Sequence, residues 1–172
     1  MTVRCETCGT AMKPTIRDYR YEESGLGNVI LERLRVYRCP KCRTAAPEIP
    51  NVLGLHQTIA RALLTKPVLL TGAEIRFLRR HGGLKAAEFA ARLGTTPVTV
   101  SRWETGNIRV DGKTDRLIRL LCVRKLEEGA RRLLFPGFYE VVTRLSPSAR
   151  RSTPIRISRR QLRQSPWMAA SA

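Results

Sequence analysis

Two pairs of cysteines near the start of the chain have residue types and spacing that suit a metal site. Cys5 and Cys8 form one C-x-x-C motif, and Cys39 and Cys42 form a second. Four thiolates are soft anionic ligands, and two such knuckles are typical of a closed tetrahedral zinc site. A redox-active dithiol and a pair of disulfides are the alternatives, but neither explains why the motif occurs twice. We therefore expect one structural Zn²⁺.

A β-hairpin between the two motifs would bring the four thiolates together. Residues 33–36 alternate arginine with leucine or valine, which is the pattern of a half-buried strand. Residues 15–22 provide an antiparallel partner through a glycine-containing turn at 25–28. Residues 1–50 have little apolar content, so metal binding is expected to supply much of their folding free energy.

Residues 84–106 have the pattern of two short helices joined by a tight turn. Gly94 ends the first helix at a position where glycine adopts a left-handed conformation. Thr96 is a good N-cap for the second helix, Pro97 suits its first turn, and Gly106 ends it. This pattern favours a helix-turn-helix over an ordinary helical hairpin. The apolar face expected for the first helix contains Leu84, Ala87, Phe89, Ala90, Ala91 and Leu93.

Further helices are expected on both sides of this motif. Thr71 and Glu74 form a capping-box pattern that predicts a helix up to His81. Residues 117–121 form a broad apolar face on a later helix, and Cys122 is expected in its core. Upstream, residues 51–66 predict a connecting helix with apolar positions at Val52, Leu55, Ile59 and Leu63.

The charge of the chain indicates a polyanionic partner. The 32 Lys and Arg residues outnumber the 14 Asp and Glu residues, which gives a formal net charge of +18. Nucleic acid is the first inference, and an anionic membrane surface is the weaker alternative. An apolar run of about 18 residues and a signal-peptide pattern are both lacking. We expect a cytoplasmic, nucleoid-associated protein.

The motifs together resemble a known family. Residues 87–90, Gly94 and residues 101–106 (AEFA, G and SRWETG) resemble the Xre, or lambda-repressor-like, helix-turn-helix family over about residues 71–125. With the CETC and CPKC pairs, the layout resembles the YgiT-type zinc-finger, MqsA-like antitoxin family. That resemblance implies an N-terminal zinc domain that contacts a protein toxin. It also implies a homodimeric C-terminal domain that binds a palindromic operator of double-stranded DNA in its own promoter.

The resemblance also implies roles for individual side chains. The residues expected to read bases are Pro97, Val98, Thr99 and Arg102, and those expected to contact phosphates are Lys85, Thr96, Ser101 and Arg109. Arg102 is the strongest candidate, because a guanidinium can donate two hydrogen bonds to guanine. Val98 and Ala86 depart from the family pattern, which often has polar side chains there, and Ser101 is equally well explained as a surface residue. The alignment also pairs Glu104 with Arg79.

These observations predict a small α+β zinc-binding hairpin domain followed by an all-α lambda-repressor-like helix-turn-helix domain and a basic C-terminal tail. The expected divisions are 1–50 for the zinc domain, 51–70 for a linker helix, 71–126 for the helix-turn-helix domain and 127–172 for an extension. The extension is expected to be disordered from about residue 146, where arginines alternate with serine and proline. Its arginines would add electrostatic affinity for phosphates.

The predicted function is sequence-specific transcriptional regulation by an autorepressing, antitoxin-like protein. The alternative is a protein-binding module that neutralises or recruits a partner through the zinc domain, with DNA binding secondary. An enzyme is not expected, because no Ser-His-Asp, paired-carboxylate or open-metal pattern is present. One recognition helix reads few base pairs, so we expect a homodimer on a palindrome. The expected dimer surface includes part of residues 117–121 and of residues 133–135.

Overall fold

The structure is a computed structural model that describes residues 3–131, 133–144 and 153–163. The described residues form two compact units. The first unit contains residues 3–22, 27–58 and 154–163, and the second contains residues 23–26 and the described part of 59–153. The predicted order of a hairpin domain followed by a helical domain is confirmed. No helix in the described ranges is both long and apolar enough to cross a membrane.

The first unit is built on a β-sheet. Its strands are β1 (Lys13–Arg20), β2 (Val29–Arg38), β3 (Ala45–Pro47) and β4 (Ile155–Ile157). β1 and β3 pair antiparallel with β2, and β4 pairs parallel with it. The predicted hairpin is therefore present, with its alternation as expected: Leu34 and Val36 are buried, whereas Arg33 is exposed and Arg35 half-buried.

The hairpin contains a β-bulge close to its centre. Arg17 pairs with Leu34 but Tyr19 pairs with Leu31, so two residues of β2 lie opposite Asp18. Arg33 is one of those two residues and has a φ of 50°, in the left-handed region. The Asp18 carboxylate accepts a hydrogen bond from the Arg33 backbone N–H, at 3.0 Å from Oδ1. This bond to the Arg33 backbone stabilises the bulge.

Part of the C-terminal segment expected to be disordered is ordered. β4 pairs with Val29–Leu31 of β2, and a short helix α7 (Arg159–Arg163) follows it. Ile157 and Leu162 are buried, with 1% and 0% of their surfaces exposed. Burial of these two side chains offsets the conformational entropy that the segment loses when it becomes ordered. The prediction missed this burial because it was based on the Arg- and Ser-rich composition of the segment. The remainder of that prediction concerns residues 145–152 and 164–172, which lie outside the described residues.

The second unit is helical. α1 (Val52–Thr65) spans the boundary between the units, and α2 (Gly72–His81), α3 (Ala86–Arg92), α4 (Pro97–Glu104), α5 (Gly112–Ala130) and α6 (Phe138–Thr143) follow. α5 continues four residues beyond the predicted boundary at 126. The Thr71 hydroxyl accepts the Glu74 N–H and the Glu74 carboxylate accepts the Thr71 N–H, which confirms the capping box.

Several apolar residues expected in the core are exposed instead. Leu84, Phe89 and Ala90 are buried around α3, whereas Ala87 and Ala91 face solvent. Only a narrow side of the short α3 is buried, so the prediction of a wider buried face from residue spacing was wrong. The other exposed members of the predicted faces are Val52, Leu117 and Leu120, with 48%, 46% and 45% of their surfaces exposed.

Candidate functional site

The four cysteines of the first unit form a single cluster. Their sulfur atoms lie within 4.8 Å of one another. The Sγ–Sγ distance is 3.4 Å for Cys5–Cys42, 3.4 Å for Cys8–Cys39 and 3.6 Å for Cys8–Cys42. A disulfide requires about 2.05 Å, so these are free thiols. A tetrahedral zinc ion with Zn–S bonds of about 2.3 Å requires sulfur separations of about 3.8 Å, which the cluster approaches.

The two knuckles share one local geometry. In each, the first cysteine N–H donates to a threonine carbonyl five residues later, at 2.9 Å for both Cys5–Thr10 and Cys39–Thr44. In each, the residue after the second cysteine is left-handed, with φ of 70° at Gly9 and 64° at Arg43. The two motifs are thus structural repeats, and the backbone turns each pair of sulfur atoms towards the other pair.

A threonine hydroxyl accompanies one sulfur of each knuckle. The Thr10 Oγ1 lies 3.4 Å from the Cys8 Sγ, and the Thr44 Oγ1 lies 3.1 Å from the Cys42 Sγ. These hydroxyls lower the pKa of the Cys8 and Cys42 thiols below the usual value by stabilising the thiolates. The role of these threonines was not predicted, although the repeated pattern C-x-x-C-x-Thr was visible at residues 5–10 and 39–44.

The fifth cysteine is separate from the cluster. Cys122 lies in α5 with 1% of its surface exposed, and burial raises the pKa of its thiol to about 12. The prediction that it belongs to the core is confirmed. Within the described ranges, only Cys5, Cys8, Cys39 and Cys42 are gathered in a way that suits a metal ion.

The helix pair α3–α4 has the end signals expected from the sequence. At the end of α3, the Gly94 N–H donates to the Ala91 carbonyl and the Thr95 N–H donates to the Ala90 carbonyl, which is a Schellman motif. Gly94 has a φ of 64°. At the start of α4, the Thr96 hydroxyl accepts the Thr99 N–H at 3.2 Å. These caps hold the turn between the two helices.

An ion pair attaches α4 to α2. Arg79 donates from Nε and Nη2 to the two carboxylate oxygens of Glu104, at 2.5 and 3.0 Å, and from Nη1 to the Leu84 carbonyl at 2.8 Å. Arg79 is buried, and the Glu104 carboxylate raises its pKa above the usual value. The pairing implied by the family resemblance is therefore present. It fixes α4 to the helix before the motif.

The side chains predicted to read DNA lie on the outer surface of this helix pair. Arg102, Val98 and Pro97 are exposed, with 60% of the Val98 surface accessible, whereas Thr99 is half-buried. Among the residues with described positions, Arg102 forms no ion pair. Its guanidinium is therefore available to a ligand. Thr99 Oγ1 lies 3.0 Å from Thr96 Oγ1, so its hydroxyl already has a local partner.

The side chains predicted to contact phosphates are also exposed. They are Lys85 before α3, Thr96 at the N-cap of α4, Ser101 on α4, and Arg109 in the loop after it. Trp103 is half-buried and lines a cavity of about 270 Å³ with α2 residues and the loop after α4. This position agrees with a packing role for Trp103 in place of DNA contact.

The helices around Arg102 match a known family of domains. Residues 71–130 match a family model described as a helix-turn-helix domain. The match begins at the N-cap of α2 and ends with α5, so it covers the four helices that position Arg102. The second unit therefore carries a helix-turn-helix domain of the kind that binds DNA. A search of curated proteins and a search of solved structures found no match.

A buried ion pair behind the helix-turn-helix was not predicted from the sequence. Arg119 and Asp115 of α5 are both fully buried, and Asp115 Oδ1 accepts the Leu70 N–H at 2.7 Å. Arg119 donates to four backbone carbonyls around the end of α1, namely those of Leu63, Leu64, Lys66 and Val68. An arginine in a helical pattern normally indicates a solvent-facing position, so the sequence offered no direct signal.

Proposed function

We propose that this protein is a sequence-specific DNA-binding transcriptional regulator. The observation that carries the proposal is the helix-turn-helix match at residues 71–130, together with an exposed Arg102 that has no ion-pair partner among the described residues. In this arrangement α4 enters the major groove. Arg102 donates two hydrogen bonds to a guanine, and Pro97, Val98 and Thr99 face neighbouring bases.

The phosphate contacts come from residues around the same helix pair. Lys85, Thr96, Ser101 and Arg109 are exposed and are assigned to the DNA backbone, where they set the position of α4 without reading sequence. The +18 net charge supports this role, because a strongly basic chain binds duplex DNA non-specifically through counterion release.

The proposed experiment separates base reading from phosphate binding. Selection from random duplex DNA first identifies the preferred site. Replacing Arg102 by Ala is then expected to cost about 1 to 3 kcal/mol at that site and to relax preference at one base pair. Lys85→Ala is the matched control and should weaken preferred and random DNA equally. An equal loss on both DNAs for Arg102→Ala would show that Arg102 does not read a base.

We also propose one structural zinc ion held by Cys5, Cys8, Cys39 and Cys42. A full-cysteine donor set with near-tetrahedral sulfur spacing supports zinc over oxygen-preferring ions such as Mg²⁺ and Ca²⁺. The ion would join the two knuckles and would leave no open coordination position. Elemental analysis of protein purified without chelator should find one zinc per chain. A different metal, or no metal in folded protein, would contradict the assignment.

The resemblance to the antitoxin family supports a more specific role: repression of the protein's own promoter by a homodimer on a palindrome, with a toxin bound at the zinc-binding unit. Binding to duplex DNA from the region upstream of its own coding sequence tests autorepression directly. Co-purification with the product of an adjacent gene tests the toxin. If the toxin binds but the DNA does not, the protein-binding module becomes the better description.

A further inference from the structure

We propose that the first unit carries its own binding surface for the phosphates of nucleic acid, formed by Arg33 of the β-bulge and the three arginines of α7. This inference rests on the proposed DNA-binding function and adds a second site to it. We call Arg33, Arg159, Arg160 and Arg163 the arginine cluster. All four side chains are exposed.

The arginine cluster lines two neighbouring depressions. A cleft of about 430 Å³ is lined by Ile16, Glu32, Arg33, Ser158, Arg159 and Arg160. A smaller recess of about 30 Å³ is lined by Leu34, Arg35, Glu48, Pro50, Arg159 and Arg163. Arg159 belongs to both, so the positive charges form one continuous surface.

The two carboxylates beside the arginine cluster form ion pairs with arginines outside it. Glu32 Oε1 lies 3.3 Å from Nη1 of Arg156, and Glu48 Oε2 lies 3.4 Å from Nη1 of Arg35. Within the described part of the chain, no ion pair involves a member of the arginine cluster. Its four charges are therefore in excess on this surface and attract an external anion.

The cluster is held in place by buried neighbours. Ile157 and Leu162 flank the α7 arginines with 1% and 0% of their surfaces exposed, and the Ser158 hydroxyl accepts the Gln161 N–H at 3.4 Å. Arg33 is fixed by the bulge in a left-handed conformation that is unfavourable for a residue with a Cβ.

The chemistry of the surface suits phosphates better than an acidic protein. The centres of protein interfaces combine arginine with aromatic and other large apolar side chains. Among the described residues that line the larger cleft, Ile16 is the only large apolar one, and it faces solvent with 53% of its surface exposed. Arginine forks match the paired oxygens of phosphates, and a series of them suits a repeating phosphate backbone.

The test uses the full chain and compares two variants of equal charge. The cluster variant carries Arg33→Gln, Arg159→Gln, Arg160→Gln and Arg163→Gln. The control carries Lys13→Gln, Arg17→Gln, Arg20→Gln and Arg38→Gln, which removes four exposed charges of the same unit outside both depressions. Circular dichroism confirms that both are folded. Affinity for the selected operator and for random duplex DNA is then measured against salt concentration.

The expected result is a change in salt dependence specific to the cluster variant. The slope of log affinity against log salt should become shallower by about 0.9 for each phosphate that the variant no longer binds, on both DNAs, while the control keeps the wild-type slope.

Equal slopes for the cluster variant and the control variant overturn the inference, even if both variants still prefer the operator over random DNA. A slope change on random DNA without any operator preference in the wild type would support the surface and contradict sequence-specific regulation. If poly-glutamate binding falls in the cluster variant while DNA binding does not, the surface binds an acidic protein and the inference is wrong.

Discussion

The guanidinium of Arg119 and the carboxylate of Asp115 form an ion pair, with 2.7 Å between Nε and Oδ2, that solvent does not reach. The remaining N–H groups of Arg119 donate to the carbonyls that α1 leaves unsatisfied at its C-terminal end and to the segment after it. One side chain thereby joins the end of α1 to the helix-turn-helix domain. Residues 59–66 belong to the second unit.

Replacing Asp115 by Asn should strongly destabilise the second unit. The change leaves Arg119 as a buried cation without its counter-ion, a situation that costs about 3 to 5 kcal/mol. Urea unfolding followed by helical circular dichroism measures the loss. The control is Glu128→Gln, because Arg124 and Glu128 form an exposed ion pair with the same four-residue spacing. Exposed pairs of this kind contribute little to stability. Similar losses for the two variants would show that burial does not determine the effect.

Replacing Gly72 by Ala should disrupt the contact between α2 and α4. A Cβ at Gly72 would lie 2.8 Å from the Glu104 carbonyl oxygen and closer still to that of Trp103, and backbone atoms cannot rotate away. We expect reduced thermal stability and reduced operator affinity together. Gly129→Ala is the matched control in α5, since a Cβ there meets nothing within 4 Å. That change should be neutral or slightly stabilising, because Gly129 lies in the last turn of the helix. A neutral Gly72→Ala would contradict this close packing of α2 on α4.

The threonines of the knuckles should strengthen metal binding. Replacing Thr10 and Thr44 by Val removes the hydroxyls beside Cys8 and Cys42, and the pKa of both thiols should rise towards its usual value. Loss of such supporting hydrogen bonds typically costs about 10- to 100-fold in metal affinity. Competition with a chromophoric chelator at neutral pH provides the measurement. Thr7→Val serves as the control, because this exposed threonine lies between Cys5 and Cys8 in the first knuckle. Equal zinc affinities for the three proteins would refute the assigned role.

The exposed leucines of α5 should form the dimer contact. Leu117 and Leu120 lie three residues apart on α5 with 46% and 45% of their surfaces exposed, so they present neighbouring apolar side chains to a partner. Replacing both by Glu should convert a dimer to a monomer in sedimentation velocity experiments and weaken operator binding.

An additional test of the dimer inserts five base pairs between the two half-sites of the operator. The insertion rotates one half-site by about half a turn and should abolish tight binding. A wild-type protein that is monomeric with and without DNA would exclude this interface.

Features that depend on neighbouring residues could be predicted from the sequence, whereas features that depend on distant residues could not. Caps and turns were predictable, because Thr71, Thr96 and Gly94 act through atoms within a few residues of themselves. The position of Arg119 was not predictable, because its acceptors are carbonyls more than 50 residues away in the sequence. The spacing of apolar residues did not show which of them are buried, as the exposed Ala87 and Val52 demonstrate.

The first unit shows the same difference. The two C-x-x-C motifs and the alternating strand were sufficient to predict that the thiols meet. The pairing of Val29–Leu31 with Ile155–Ile157 was not predicted, because a three-residue strand in an arginine-rich segment has no periodicity of its own. Burial of Ile157 depends on a surface encoded at the other end of the chain.

The parallel pairing of β4 with β2 has a consequence for synthesis on the ribosome. β2 emerges early, but the strand that covers Val29–Leu31 emerges only after residues 39–154 have been translated. At about 5 to 20 residues per second, this delay is on the order of ten seconds. During that time the nascent chain exposes backbone donors and acceptors along β2, which can pair with neighbouring chains. Products released before residue 155 would retain that open edge permanently.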